Sequence, residues 1–206
     1  MAYRSFKLSD LKEKFGIHQT TASLFDSAVP LLPPSDLLVQ LLKLARTSPL
    51  TTEKAISEAV IYPILREIKV LNKDVIELFS GEILDADRSQ GLNGECDFIF
   101  AKAPGSKELT APILQVFEAK QGEIDKPKPI AQVSAQLIGS RVFNQKHNQI
   151  IEPLYGVCTS GSEWLFLKLE GNTIIVDDTS YFINELPKLL GILQHIINLN
   201  STSVLP

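Results

Sequence analysis

Cysteine and histidine are scarce, at 2 and 3 in 206 residues. Cys96 and Cys158 both lie in apolar, strand-like contexts and read as reduced, buried thiols rather than a disulfide framework. His18, His147 and His195 are far apart, and no Cys/His spacing suits zinc. Long apolar runs are missing too. None approaches the roughly 18–20 residues that span a bilayer, so no membrane helix is expected. The start, Met1 to Lys7, lacks the apolar stretch of a signal peptide, and a cytoplasmic protein is expected. Nor is there an excess of positive charge: the formal net charge of −4 argues against a protein that coats nucleic acid. No repeat and no low-complexity linker interrupts the chain. What is present is 44% hydrophobic and 21% charged, enough for one domain with a sizeable core.

The chain changes character near Val75. Before it, helices are expected over Leu8 to Phe15 and Ser35 to Arg46, joined by a loop ending in Leu31-Leu-Pro-Pro34. A longer helix follows, capped by Thr51 or Thr52 with Glu53 in its first turn, and Pro63 should kink or divide it. After Val75 come strands at Ile76 to Leu84, Cys96 to Ala101 and Ile113 to Lys120, the last two forming a hairpin. A helix over Ile130 to Phe143 precedes strands at Leu154 to Thr159, Trp164 to Leu169 and Thr173 to Val176. A helix from Leu186 to Leu199 ends the pattern. The order predicts a single α/β unit with a mixed sheet, residues 1–50 forming an N-terminal helical extension to a domain over 51–206.

Charge is unevenly spread. Residues 51–100 hold 10 acids and 5 bases, whereas 120–150 hold five bases (Lys120, Lys126, Lys128, Arg141 and Lys146) against Glu123 and Asp125. An acidic segment followed by a basic one suits a carboxylate metal site beside a phosphate-binding surface.

An acid two residues before a lysine occurs three times, at Asp10-Leu11-Lys12, Glu67-Ile68-Lys69 and Glu118-Ala119-Lys120. Context chooses among them. The first two fall in helices, where positions two apart diverge by about 200°. In a strand the period is two, so Glu118 and Lys120 project from one face. Asp97 lies on the partner strand of the expected hairpin, which brings two carboxylates together. Like charges held close repel unless a cation sits between them, and hard oxygen donors suit magnesium or manganese. The Ala119 main-chain carbonyl is a candidate third ligand. The competing reading is a surface ion pair between Glu118 and Lys120 at a solvated strand end.

With Asp97, Glu118 and Lys120 in that order, the chain resembles the PD-(D/E)xK nuclease superfamily over roughly residues 52 to 178, although Glu95-Cys96 stands where a proline often precedes the first acid. Glu58 looks like the glutamate that members often carry on the helix before the sheet; an exposed helix acid is the other reading. Gln132 and Gln136 sit i, i+4 on the following helix, where members often supply a glutamine, and are candidate substrate-binding residues; a polar residue on a solvated helix face is the other reading of Gln132. Tyr155 to Trp164 is similar to the hairpin found after that helix. The resemblance implies an α/β, restriction endonuclease-like mixed β-sheet core flanked by helices. It implies a nuclease that hydrolyses phosphodiester bonds in DNA using Mg2+ or Mn2+. Asp97, Glu118 and Ala119 would hold the metal, with Lys120 and Glu58 as further catalytic residues. Lys126 and Lys128, with Arg141 and Lys146, would meet phosphate. Trp164 could stack on a base, but a core aromatic is the simpler reading. The alternative is a catalytically inactive restriction-like domain that binds nucleic acid or protein; a homodimer or a partner subunit fits either.

Overall fold

The computed structural model describes residues 2–25 and 29–202. After a short 3-10 turn at Tyr3–Ser5, helix α1 (Leu8–Phe15) ends on Gly16, whose left-handed backbone (φ 65°) supplies the C-cap. Strand β1 follows at His18–Ala22, inside the segment expected to be loop. All five of its residues are exposed, so it carries no alternation of apolar and polar residues by which a strand is recognised. Helix α2 (Asp36–Ala45) starts where Ser35 caps the Leu38 N–H at 3.2 Å.

The long helix is divided as its proline demands. Thr52 caps α3 (Glu53–Ile56), a π turn spans Ser57–Ile61, and α4 runs over Tyr62–Leu71. Pro63 has no N–H to give the carbonyl four residues back and its ring crowds that carbonyl. Widening the preceding turn relieves the clash: the Tyr62 N–H reaches back five residues to Ser57.

Seven strands form one mixed sheet in the order β1-β7-β6-β5-β4-β3-β2. Beyond β1 they are β2 (Glu77–Asp87), β3 (Leu92–Ala101), β4 (Ile113–Ala119), β5 (Leu154–Thr159), β6 (Glu163–Glu170) and β7 (Thr173–Phe182). The expected hairpin is present, with β3 antiparallel to β4; β4 and β5 are parallel, joined by a crossover through the long helix α5 (Pro127–Lys146). Strand β1 lies parallel to β7, so the N-terminal segment adds an edge strand as well as helices. The fold is therefore α/β, a mixed sheet flanked by helices.

Alternation along the strands sorts the two faces. Gly156 meets α5 so closely that a Cβ there would collide with Val133 and Leu137. Its neighbour Tyr155 points the other way, to Phe25, which also meets His195 of helix α6 (Leu186–Thr202). On that second face Phe98 contacts the Tyr62 ring at the start of α4. The central strand β4 is buried over all seven residues, as expected for a strand covered on both faces. A second close approach locks the N-terminus. Gly139 of α5 leaves room for the Tyr3 ring, whose hydroxyl donates to the Leu84 carbonyl at 3.1 Å.

Candidate active site

The β3–β4 ladder runs Ala101–Ile113, Phe100–Gln115, Ile99–Val116 and Phe98–Phe117, and stops there. The next pair across would be Asp97 and Glu118. The Ala119 N–H, which has run out of β3 carbonyls, instead donates to Asp97 Oδ2 at 2.7 Å. Strand β4 meanwhile continues against β5, with the Lys120 N–H donating to the Thr159 carbonyl at 2.8 Å. A fork between two strands thus places one carboxylate on each arm.

Glu118 faces α5 and is only 4% exposed. Its Oε1 accepts from Lys120 Nζ at 2.5 Å and from Gln132 Nε2 at 2.5 Å; its Oε2 accepts from Gln136 Nε2 at 2.6 Å. The competing reading, a surface ion pair at a solvated strand end, does not describe this pair: Glu118 is buried within a hydrogen-bonded network and Lys120 is partly buried. A carboxylate offers about four lone-pair positions, so three bonds leave one on Oε2. Asp97 likewise keeps Oδ1 beyond its bond to Ala119. Two carboxylates and a main-chain carbonyl are a hard-oxygen set that suits magnesium or manganese, which keeps several waters and needs few protein ligands. Among the described residues no group of three Asp, Glu, His or Cys side chains is gathered for a metal.

The electrostatics follow from burial. Desolvation pushes the Glu118 carboxyl up to about 7, the Asp97 charge pushes the same way, and Lys120 opposes both. Desolvation also raises Asp97, against the Ala119 N–H and the Lys120 charge, while Glu53 and Glu95 add to the rise. Burial alone would lower Lys120. The charge and hydrogen bond of Glu118, with Glu53 and Asp97, outweigh it and hold the ammonium above its ordinary range. Lys120 is therefore held as an ammonium beside Glu118.

Other expected residues are placed differently. Glu58 is exposed and forms an i,i+4 ion pair with Lys54 at 3.8 Å, a contact worth little in solvent. It shares with Asp97 a cleft of about 720 Å3 whose walls also include Glu53, Tyr62, Ser80 and Glu95. Glu118 and Lys120 are not among the residues of those walls. Gln136 is fully buried and Gln132 nearly so, and both donate to Glu118. Lys126 pairs with Glu123 at 3.4 Å, and Lys128 is exposed on the first turn of α5. Arg141 and Lys146 do not belong to a free basic surface, because Arg141 donates to the Gly171 carbonyl and Lys146 to the Ala86 carbonyl at 2.6 Å. Trp164 is a core residue, fully buried with its indole N–H on the Gly161 carbonyl. Cys96 and Cys158 are free and buried.

Sequence reading missed Glu53 and Glu95. Glu95 was legible, being two residues before Asp97 on one strand. Glu53 was not. It accepts from the Gln121 N–H at 3.0 Å, while Gln121 Nε2 donates to the Thr51 carbonyl at 2.9 Å. These bonds tie the turn after Lys120 to the start of α3 across 68 positions of chain.

No family model matches the chain, and no curated protein matches it. Among solved structures it is similar to the type IIG restriction endonuclease BpuSI, at 15% identity and a TM-score of 0.48. The match covers 69% of this chain and 16% of that one, so the chain spans a small part of that enzyme's length. A likeness of that size leaves the site to be argued from its own residues. Among the described residues no helix is long and apolar enough to cross a membrane.

Proposed function

We propose that this chain is a metal-dependent nuclease, built on a restriction endonuclease-like sheet, that hydrolyses phosphodiester bonds in DNA in the cytoplasm. The observation that supports the reading is the fork at β3 and β4, where Asp97 accepts from the Ala119 N–H and the neighbouring Glu118 accepts from Lys120 Nζ. Perturbed titratable groups at a cleft mark functional sites. Asp97 Oδ1, the remaining Glu118 lone pair and the Ala119 carbonyl would hold Mg2+ or Mn2+. When bound there, the ion polarises the scissile phosphate and lowers the pKa of a water. Gln132 and Gln136 fix the Glu118 carboxylate in place. Lys120, kept protonated by Glu118, offsets charge that develops on the phosphorane oxygens. Lys128, exposed on the first turn of α5, and Lys126, which pairs with Glu123 beside it, are the remaining candidates for phosphate contact.

The test is direct. Purified protein with magnesium or manganese should nick or cut DNA, and Lys120→Ala should reduce this by at least about a hundredfold, the scale of losing one preorganised charge-stabilising group. Circular dichroism should show the fold retained. Equal cutting by both proteins would overturn the proposal.

One observation favours a second reading, a catalytically inactive module that binds nucleic acid or protein. The cleft at Asp97 is walled by Glu53, Glu58 and Glu95, which repel phosphate unless a cation intervenes. Calorimetric titration separates the two: absence of heat at millimolar magnesium or manganese favours the module.

A further inference from the structure

The cleft beside Asp97 contains an aromatic ring that metal chemistry at the fork leaves unused. Tyr62 lines it together with Asp97, Glu58 and Glu95, around a volume of about 720 Å3. Sites of about 300–1,000 Å3 hold small-molecule-sized groups. The ring leans on Phe98, the residue after Asp97, at 6.3 Å between centroids and 35° between planes. Phe98 is buried and gives it a firm backing, while Tyr62 itself remains 36% exposed. The π turn over Ser57–Ile61 ends just before Tyr62. Glu58, four positions earlier, therefore shares nearly one face of the helix with Tyr62, and both reach the same cleft. The remaining walls restrict the charge of an occupant. Glu53, Glu58 and Glu95 join Asp97, and among the described residues of those walls the basic side chain is Lys54, paired with Glu58 at 3.8 Å. Such walls repel a bare phosphate. A nucleobase is neutral and planar, and adenine, guanine and cytosine carry amino groups that a carboxylate can accept from.

We propose that the cleft takes an unstacked nucleobase of the substrate strand, laid on Tyr62 with its amino edge towards Glu58, while the adjoining phosphodiester lies at Asp97. The inference rests on the nuclease reading and narrows its substrate class to DNA that is unpaired at the cut. Inside a duplex both faces of each base are covered by its neighbours, so a ring in the wall of a cleft reaches none of them. In a single strand a base leaves the stack at least cost. Aromatic stacking tolerates every base, because each has a π-face. The acids add a preference for bases with an amino group over thymine, whose edge carries two carbonyl oxygens. The division of labour also answers the repulsion at the walls. Carboxylates meet the base, and the backbone is left to the fork.

A single-stranded oligonucleotide carrying 5-iododeoxycytidine, which photocrosslinks to aromatic rings stacked on it, tests this with magnesium present. Lys120→Ala serves as the background, so that binding is read without cutting. Mass spectrometry should find the crosslink on Tyr62. By fluorescence anisotropy the single strand should bind at least about tenfold more tightly than a duplex of the same sequence. Tyr62→Leu keeps an apolar contact for Phe98 and removes the ring; it should abolish the crosslink and weaken single-strand binding about tenfold, whereas Tyr62→Phe should retain both. Oligo-dC should bind more tightly than oligo-dT, and Glu58→Gln should narrow that preference. Failure of the nuclease reading would appear separately, as wild-type protein that crosslinks through Tyr62 and cuts neither form. A crosslink elsewhere, single-strand affinity indifferent to Tyr62→Leu, or equal binding of strand and duplex would overturn the base pocket. Equal affinity for oligo-dC and oligo-dT would overturn the contact with Glu58.

Discussion

Two regions invert the usual division between inside and outside. Around Glu118, charged and amide groups are buried; along α2, leucines face water. The first region costs free energy because an ionised carboxylate is taken out of solvent, and three N–H donors only partly offset that cost. The second costs free energy because apolar surface remains hydrated. Neither is a requirement of the fold, since β4 would be covered equally well with apolar residues and α2 would dock with Leu38 and Ala45 alone. The contrast teaches where to look for function. A buried carboxylate and an exposed apolar stripe are each a place to test for function.

The two faces of α2 sharpen this comparison first. Leu38→Ala should cost about 2–5 kcal/mol, as for other buried leucines, whereas Leu44→Ala should stay within about 0.5 kcal/mol at concentrations where the chain is monomeric. Urea unfolding measures both. Similar losses would mean that the outer stripe contributes to the core.

The buried carboxylate gives a pH signature of similar or smaller size. The Glu118 pKa is higher folded, about 7, than its ordinary 4.5. Between those values the native state binds more protons, so stability is full below about 4.5 and falls as pH rises through 7, by about 3 kcal/mol. Asp97 is shifted in the same direction. Lys120 is raised from its ordinary 10.5, so its contribution is present throughout this window and lost only at more alkaline pH. Glu118→Gln should abolish most of the slope and make the protein more stable than wild type at pH 8. The side chain fits because Gln136 Oε1, a buried acceptor without a partner among the described residues, can accept the new amide once Gln136 flips. Equal slopes for the two proteins would contradict the assignment.

If the proposed metal binds at Glu118, the same proton would compete with it. Magnesium or manganese affinity should rise up to about tenfold per pH unit from about 5 towards 7 and then level off, because the carboxylate must be deprotonated to bind. Calorimetry at several pH values measures this. A flat profile would separate Glu118 from the metal.

Much of the fold was legible in local pattern. The helices at Leu8–Phe15 and Asp36–Ala45, the division at Pro63 and the hairpin of β3 and β4 follow from periodicity, caps and proline chemistry. Strand β1 was not legible, because His18–Ala22 has both faces in water and its stability comes from β7 alone. Within the site, Glu118 and Lys120 were found by the period of a strand. The engagement of Gln132 and Gln136 with Glu118 was not, since helical spacing says which residues share a face but not what that face meets.

The sequence by itself determined which side chains share a face, because those periods belong to the backbone and need no partner. Only the tertiary structure decided that the ladder opens at Asp97, that Glu53 reaches the turn after Lys120 and that Glu58 stays in solvent. Those outcomes depend on contacts between segments distant in the chain, and on the burial that sets each group's charge.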